Sequence, residues 1–476
     1  MKKASLLDKQ VEIVKKGLND TDDLMCLSLP YFHTELSVMF LETRVKRVEF
    51  EKQVLDHLKP ETKIADVKAK IAKTEWAQTK DLSYIITRIA EGYGAVIIEG
   101  EDKALLFDVS QTPERDVEEP VNEQVIRGSH AGFVESLDTN LNLLRVVIKN
   151  PDLTVKFYKI GERTGTKVAI VYINGLAKEE LLTELADRIT SIKADAVNAP
   201  SFTEEFIEDE AFTPFPQFLN TERIDRVTGN LLEGRVAVMS DGSPTALICP
   251  TTFWAFYQSP DDYNSRWMMG TSFRLLRLLS FLISVSLPAL YISIVSFHFE
   301  VIPEGMTLMI KESIDQIPYP PLIEAFIMEI TIELIREAGI RLPSPVGQTI
   351  GIVGGLVIGD AVVNAGFVSN VMIIVVAITA IASFVVPNNE MSMSVRVLRF
   401  PLMLAAAAFG LIGIVFGLTL ILIHMCGLRS FGTPYLSPLA PLSFSELKDS
   451  VIRGPLWKMN TRPFGSQALD KTRQGK

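Results

Sequence analysis

Three sets of residues have types and spacings that could do chemistry. Gly347, Gly351, Gly355 and Gly359 recur at strict four-residue intervals, with Gly354 beside them. On a helix they form a strip along one side, where two backbones can approach closely. The opposite side carries Thr349, Val353, Leu356, Asp360 and Asn364. A helix that packs by one face and keeps polar groups on the other suits the wall of an aqueous path. At membrane depth a lone carboxylate costs a few kcal/mol unless it faces water or a partner. Asp360 is therefore either pore-lining or hydrogen-bonded inside a bundle.

The second set is Glu329, Glu333 and Glu337, which share one face of the stretch LIEAFIMEITIELIREA (322–338). The other faces are apolar. This predicts an interfacial helix, or a span whose acidic stripe meets water or a basic partner such as Arg341. The third is GERTGTK (161–167), which has a phosphate loop's composition but not its spacing, and no helix follows it. It reads as a hairpin turn.

No catalytic constellation emerges. His33, His57, His130, His298 and His424 are scattered, and GxSxG, HExxH and CxxC are all absent. Cys26, Cys249 and Cys426 are widely separated and read as reduced, buried thiols. No enzyme activity, metal or cofactor is expected.

The elements that would carry these residues come from two joined compositions. Residues 1–270 hold 32 of the 47 basic and 44 of the 57 acidic residues, a net of −12, and the remainder carries +2. So acidic a head repels phosphate backbones, which excludes nucleic-acid binding. Beyond it, Leu278–Phe297 is uncharged, Leu342–Asn389 contains only Asp360, and Phe400–Leu428 is uncharged. Asn364-Ala365-Gly366 divides the middle stretch into two spans of about twenty residues, the length that crosses a bilayer. With the acidic helix, four or five membrane spans are expected. The N-terminus lacks the apolar region of a signal peptide, so the head is expected in the cytoplasm.

The head reads as two copies of one α/β plan. The first pairs strands at 24–32 and 35–42, then has helices at 49–58, 65–74 and 81–91 and a hairpin from Gly94. The second has strands near 154–160 and 167–173, helices at 178–193 and near 221–232, and a hairpin from Gly234. A helix over 135–150 joins them. The expected organisation is an α/β subdomain at 1–130, a second at 131–252, an all-α polytopic membrane domain at 253–428 and a polar tail at 429–476. Trp254, Phe256, Tyr257, Tyr263 and Trp267 would either seat the head on the headgroup layer or pack its base.

The chain resembles, almost end to end, the A subunits of the GerA-type nutrient germinant receptors of bacterial spores. The resemblance is carried by RGSHAGFVESLDTNLNLLR (127–145), FPQFLNTERIDRVTGNLLEGRVAVMSDGSP (215–244) and SPDDYNSRW (259–267). It continues through ELIREAGIRLPSPVGQTIGIVGGLVIGDAVVNAGFVSN (333–370) and IASFVVP (381–387). Ser129 and Ile224 depart from the family pattern. The resemblance implies a multi-pass protein of the spore inner membrane with its head on the core side. It also implies a homo-oligomeric ring, a pentamer, that conducts ions when nutrient binds. Its partners would be a transporter-like B subunit that binds the nutrient, a lipoprotein C subunit and membrane lipid. The stage V sporulation accessory paralogues share this architecture, and a non-conducting scaffold supporting a receptor is the alternative role.

Overall fold

The structure, a computed structural model, describes residues 6–31, 34–45, 76–111, 119–120, 123–197, 199–343, 346–347, 351, 354–355, 359–444 and 446–474. The first unit contains α1 (Leu6–Gly17), β1 (Leu24–Tyr31), β2 (Thr34–Leu41), β3 (Trp76–Thr79), α2 (Leu82–Glu91), β4 (Tyr93–Ile98) and β5 (Ala104–Asp108). Helix α3 (Leu137–Val147) leads into β6 (Leu153–Ile160), β7 (Thr166–Ile173), α4 (Glu179–Ser191) and α5 (Pro200–Ile207). The second unit ends with β8 (Leu219–Thr221), α6 (Ile224–Leu232), β9 (Val236–Ser240) and β10 (Ala246–Cys249).

The two sheets have the same plan. Their orders are β1-β2-β4-β5-β3 and β6-β7-β9-β10-β8, with every pairing antiparallel. The doubled α/β head expected from the two hairpins is what the chain forms. Alternation along each strand serves two cores. On β7, Val168 and Ile170 meet Leu181, Leu185 and Ile189 of α4, while Ala169, Val171 and Ile173 meet Leu141, Leu144, Val227 and Leu231 of α3 and α6. The GERTGTK segment is the β6–β7 turn, closed by the Gly165 amide donating to the Gly161 carbonyl at 2.9 Å. Strands β3 and β8 escaped the sequence reading because each is too short for alternation to register. The helices expected at 49–58 and 65–74 lie outside the described residues.

Asp23 locks the first unit to α3. Its side chain and that of Arg145 are each 1% exposed. Arg145 donates through Nε (2.8 Å) and Nη2 (2.7 Å), and the Thr21 and Thr43 hydroxyls donate at 2.6 and 2.7 Å. Burial alone would raise the Asp23 carboxyl, but Arg145 and the two hydroxyls outweigh it and hold it below the usual range.

The C-terminal half is helical: α7 (Pro260–Asn264), α8 (Trp267–Phe297), α9 (Glu304–Asp315), α10 (Pro321–Arg341), α11 (Gly359–Asn364), α12 (Asn370–Phe384) and α13 (Asn389–Gly427). Two of these, α8 and α13, are long and apolar enough to cross a membrane. Helix α13, however, is folded double. Gly410 has φ +60° and ψ −140°, and a Cβ on Gly417 would meet the side chain of Leu402 at 2.6 Å. Such contacts require arms 389–409 and 411–427 to run antiparallel. The tip lies at the far end of α8, beside Phe297 and His298, and both open ends return to the head. Ser394 donates to the Pro214 carbonyl, and His424 Nε2 lies 2.8 Å from the Thr213 hydroxyl. The single span expected at Phe400–Leu428 is therefore a hairpin, because glycine adopts a backbone that other residues resist. Helix α12, one of the two expected middle spans, has 15 residues, about 22 Å of helix.

One open alternative is decided and one more expectation changes. Phe253, Trp254, Phe256 and Tyr257 are buried, with Phe253 edge-to-face with Phe281 and Tyr435, so this cluster packs the head's base. Only Trp267 of the expected aromatic group is strongly exposed, at 39%. The tail, read as merely polar, is woven into the second unit. Beyond β11 (Arg429–Ser430) and β12 (Thr433–Pro434), Tyr435 is fully buried and its hydroxyl donates to the Pro216 carbonyl at 2.9 Å. The Phe253 amide donates to the Tyr435 carbonyl and the Leu469 amide to the Leu176 carbonyl. Of the thiols, Cys249 is buried, Cys26 half-buried and Cys426 exposed.

Arg145→Met strands the buried Asp23 carboxylate and is expected to cost about 3–5 kcal/mol in denaturant unfolding of the detergent-solubilised protein. The Asp23 contribution is present above about pH 4 and is lost as pH falls below it, because the folded carboxyl is depressed. Asp23→Asn removes that acid-limb loss, which unfolding measured across pH 2–6 would show. Gly410→Ala is expected to destabilise by about 1–3 kcal/mol through backbone strain, read from the thermal midpoint.

Candidate functional site in the helical domain

The acidic stripe of α10 is spent on arginines. Glu329, 4% exposed, pairs with Arg399 of α13, whose Nε and Nη2 also donate to the carbonyl (2.9 Å) and hydroxyl (3.0 Å) of Ser284 on α8. Glu333 lies 3.3 Å from Arg336 and 3.7 Å from Arg396. Arg336 extends the network to α12, donating to the Ser383 hydroxyl at 3.1 Å and lying over the Phe384 ring. Glu337 pairs with Arg341 at 2.6 Å on an exposed surface. These charges tie four helices together. In a medium that cannot solvate ions, each needs such a partner.

One buried carboxylate was missed. Glu324, 1% exposed, accepts from the Ser369 amide and hydroxyl, both at 2.6 Å, and the Tyr291 hydroxyl lies 3.0 Å from Ser369 Oγ. Ser369 is the N-cap of α12, so Glu324 satisfies a helix start from another helix. In sequence it is only an acid in a first turn. Arg396 and Arg399 read as the basic flank of a span, whereas their i, i+3 spacing matches Glu329 and Glu333 opposite.

The glycine strip divides. A Cβ on Gly347 would sit 2.6 Å from the Gly339 carbonyl, and one on Gly354 would touch Ile335 at 3.7 Å. Positions Gly351, Gly355 and Gly359 have nothing within 4 Å among the described residues, which leave that part of the strip uncovered. Of the residues expected opposite, Thr349, Val353 and Leu356 lie outside the described residues. Asp360 falls within α11, and Asn364, at that helix's end, is exposed.

At the joint with the head, Asn220 donates to Glu390 at 3.3 Å. Burial, with Glu390 and Glu208 nearby, pushes the Glu204 carboxyl of α5 up to about 9. Among the described residues no group of three His, Cys, Asp or Glu side chains is placed to hold a metal ion.

Comparison with known proteins places the chain. A family model described as the Bacillus/Clostridium GerA spore germination protein matches residues 12–464. Spore germination protein KA of Bacillus subtilis is 38% identical, covering 99% of this chain and 88% of its own length. Spore germination protein B1 of the same organism is 38% identical, covering 98% and 99%. Spore germination protein A1 is 39% identical, covering 93% of each. The crystal structure of the N-terminal domain of the A subunit of the Bacillus megaterium spore germinant receptor GerK3 shares 26% identity, covering 53% of this chain and 96% of that one, with a TM-score of 0.40. A matching model over nearly the whole chain, and relatives this similar over most of their lengths, make the chain a member of the GerA family of spore germination proteins.

Proposed function

We propose that this chain is the A-type subunit of a nutrient germinant receptor in the spore inner membrane, and that copies of it form a ligand-gated ion channel. Family membership supports the receptor role. The observation that carries the channel reading is the strip Gly351, Gly355 and Gly359, which nothing covers among the described residues. Glycines at this spacing gain nothing from lipid, and another helix backbone is what fits them closely. A neighbouring copy packed there closes a ring, with a pentamer as its size. The face bearing Thr349, Val353, Leu356, Asp360 and Asn364 then turns to the axis. Val353 and Leu356 form an apolar constriction that excludes water, and Asp360 draws cations to one mouth. A transporter-like B subunit supplies the nutrient signal, and a lipoprotein C subunit completes the complex.

The membrane count follows from the tail. Because residues 429–444 and 446–474 pack on the head, both lie on one side of the bilayer, and the number of crossings is even. Five spans would part them. The head and tail share the core side, and the far end of α8 and the Gly410 tip of α13 face away from it.

Three substitutions separate the roles, read as ion release from spores or current in reconstituted membranes. Leu356→Ala is expected to open the path without nutrient, and Asp360→Asn to lower cation conductance with assembly intact. Gly355→Leu is expected to block assembly, because the backbones can no longer approach. If Leu356→Ala stays nutrient-dependent and Asp360→Asn conducts normally, the face does not line a pore, and a non-conducting scaffold is the better reading.

A further inference from the structure

A cavity of about 330 Å³ opens where the second α/β unit, the segment leading into α8 and the tail meet. That is within the size range of small-molecule sites. Its lining includes Asn230, Glu233, Arg235, Gln258, Tyr263 and Arg473. Arg235, in the loop between α6 and β9, is 6% exposed. Its guanidinium makes no hydrogen bond among the described residues: Nε has no partner, and Nη2 lies 3.9 Å from Glu233. Arg473, from the tail, lies 3.6 Å from the other oxygen of the same carboxylate. Both separations exceed hydrogen-bond length.

The other charges lining the cavity are already used. Arg226 pairs with Glu123 and donates to the Ala255 carbonyl at 2.8 Å, and Asp225 accepts two bonds from Arg223 at 3.0 and 2.8 Å. Burial pushes the Glu233 carboxyl up despite Arg235 and Arg473 beside it. What is left is two guanidiniums around one carboxylate, one of them buried, with donors unfilled. A buried guanidinium without acceptors is costly, and its planar fork matches the oxygens of a carboxylate or phosphate.

We propose that this cavity binds the oxyanion group of a small molecule, a phosphate or carboxylate, between Arg235 and Arg473, and so staples the tail to the second α/β unit. One arginine belongs to the head and the other to the tail, so a shared anion bridges segments more than 200 residues apart. The cavity adjoins Tyr263, four residues before α8 begins, so the group could arrive on a free anion or on a phospholipid headgroup.

The test uses the full chain in detergent free of phospholipid, titrated with inorganic phosphate or acetate against chloride at matched ionic strength. Chymotryptic cleavage of the tail and the thermal midpoint are read together. Either anion is expected to slow cleavage and raise the midpoint saturably. Arg473→Gln, at a partly exposed position, is expected to leave the anion-free midpoint unchanged and raise the half-saturating concentration about tenfold. Arg235→Gln is expected to abolish protection. Protection only in phosphatidylcholine vesicles containing phosphatidic acid, lost in Arg473→Gln, supports the same site with a headgroup as its source. No protection from phosphate, acetate or acidic vesicles overturns the proposal, as does equal protection in wild type and Arg473→Gln.

Discussion

Asp262 is the point on which the two halves of the molecule turn. It is fully buried in the short helix before α8 and closes a capping box with Ser259. Its oxygens accept from Arg274 at 3.1 Å and from Arg277 at 2.8 Å, two guanidiniums three residues apart on the first turns of α8. Arg274 also donates to the Asp449 carbonyl of the tail at 2.6 Å. Removing one such partner would strand charge in a dry site, so the geometry is strongly imposed. Gly270 fits the same corner, since a Cβ there would sit 2.6 Å from the Asp262 carbonyl. The direction of α8 is thereby set at its root, and α8 is the post against which α10, α12 and both arms of α13 pack.

That constraint explains how the charged network can exist. Ser284 lies ten residues along α8 from Arg274 and receives Arg399 through both its carbonyl and its hydroxyl. Arg399 then reaches Glu329, and Arg336 carries the connection on to Ser383. Buried ion pairs are weak evidence for stability, because desolvation offsets much of their attraction. They are strong determinants of register, however. Arg399 is held at Ser284 of α8, so its pairing with Glu329 fixes the height of α10 along α8.

The head was legible because its signals are local. Two glycine-bounded apolar hairpins recur, and each copy opens on a pair of eight-residue, largely apolar strands, so the doubled plan could be read from β1, β2, β6 and β7 onward. What escaped was non-local. Strands β3 and β8 exist only because β5 and β10 offer them an edge. Gly410 looks like any glycine in an apolar helix, and only its contacts reveal a hairpin tip. The aromatics at 253–257 carry the composition of a membrane belt, and what buries them is Tyr435 and Phe281, neither of which is near in sequence. At the candidate site, the acids of α10 were visible by spacing. Their arginine partners were hidden by a competing explanation, the basic flank of a span.

The interleaved tail has a consequence for biosynthesis. The second unit's core gathers Phe133, Leu144 and Val227 with Met425, Leu428, Tyr435 and Leu436. A ribosome delivers the first of these some 300 residues before the last, and the entire helical domain lies between them. The second sheet can pair early, but its apolar underside stays open until the arms of α13 have been laid down and the chain has returned. Closing so long a loop adds only slowly to the entropic cost, yet it must wait for insertion to finish. Completion of the head therefore waits on the helical domain. A chain that does not bring Tyr435 and Leu436 back to the second unit leaves that core unfinished.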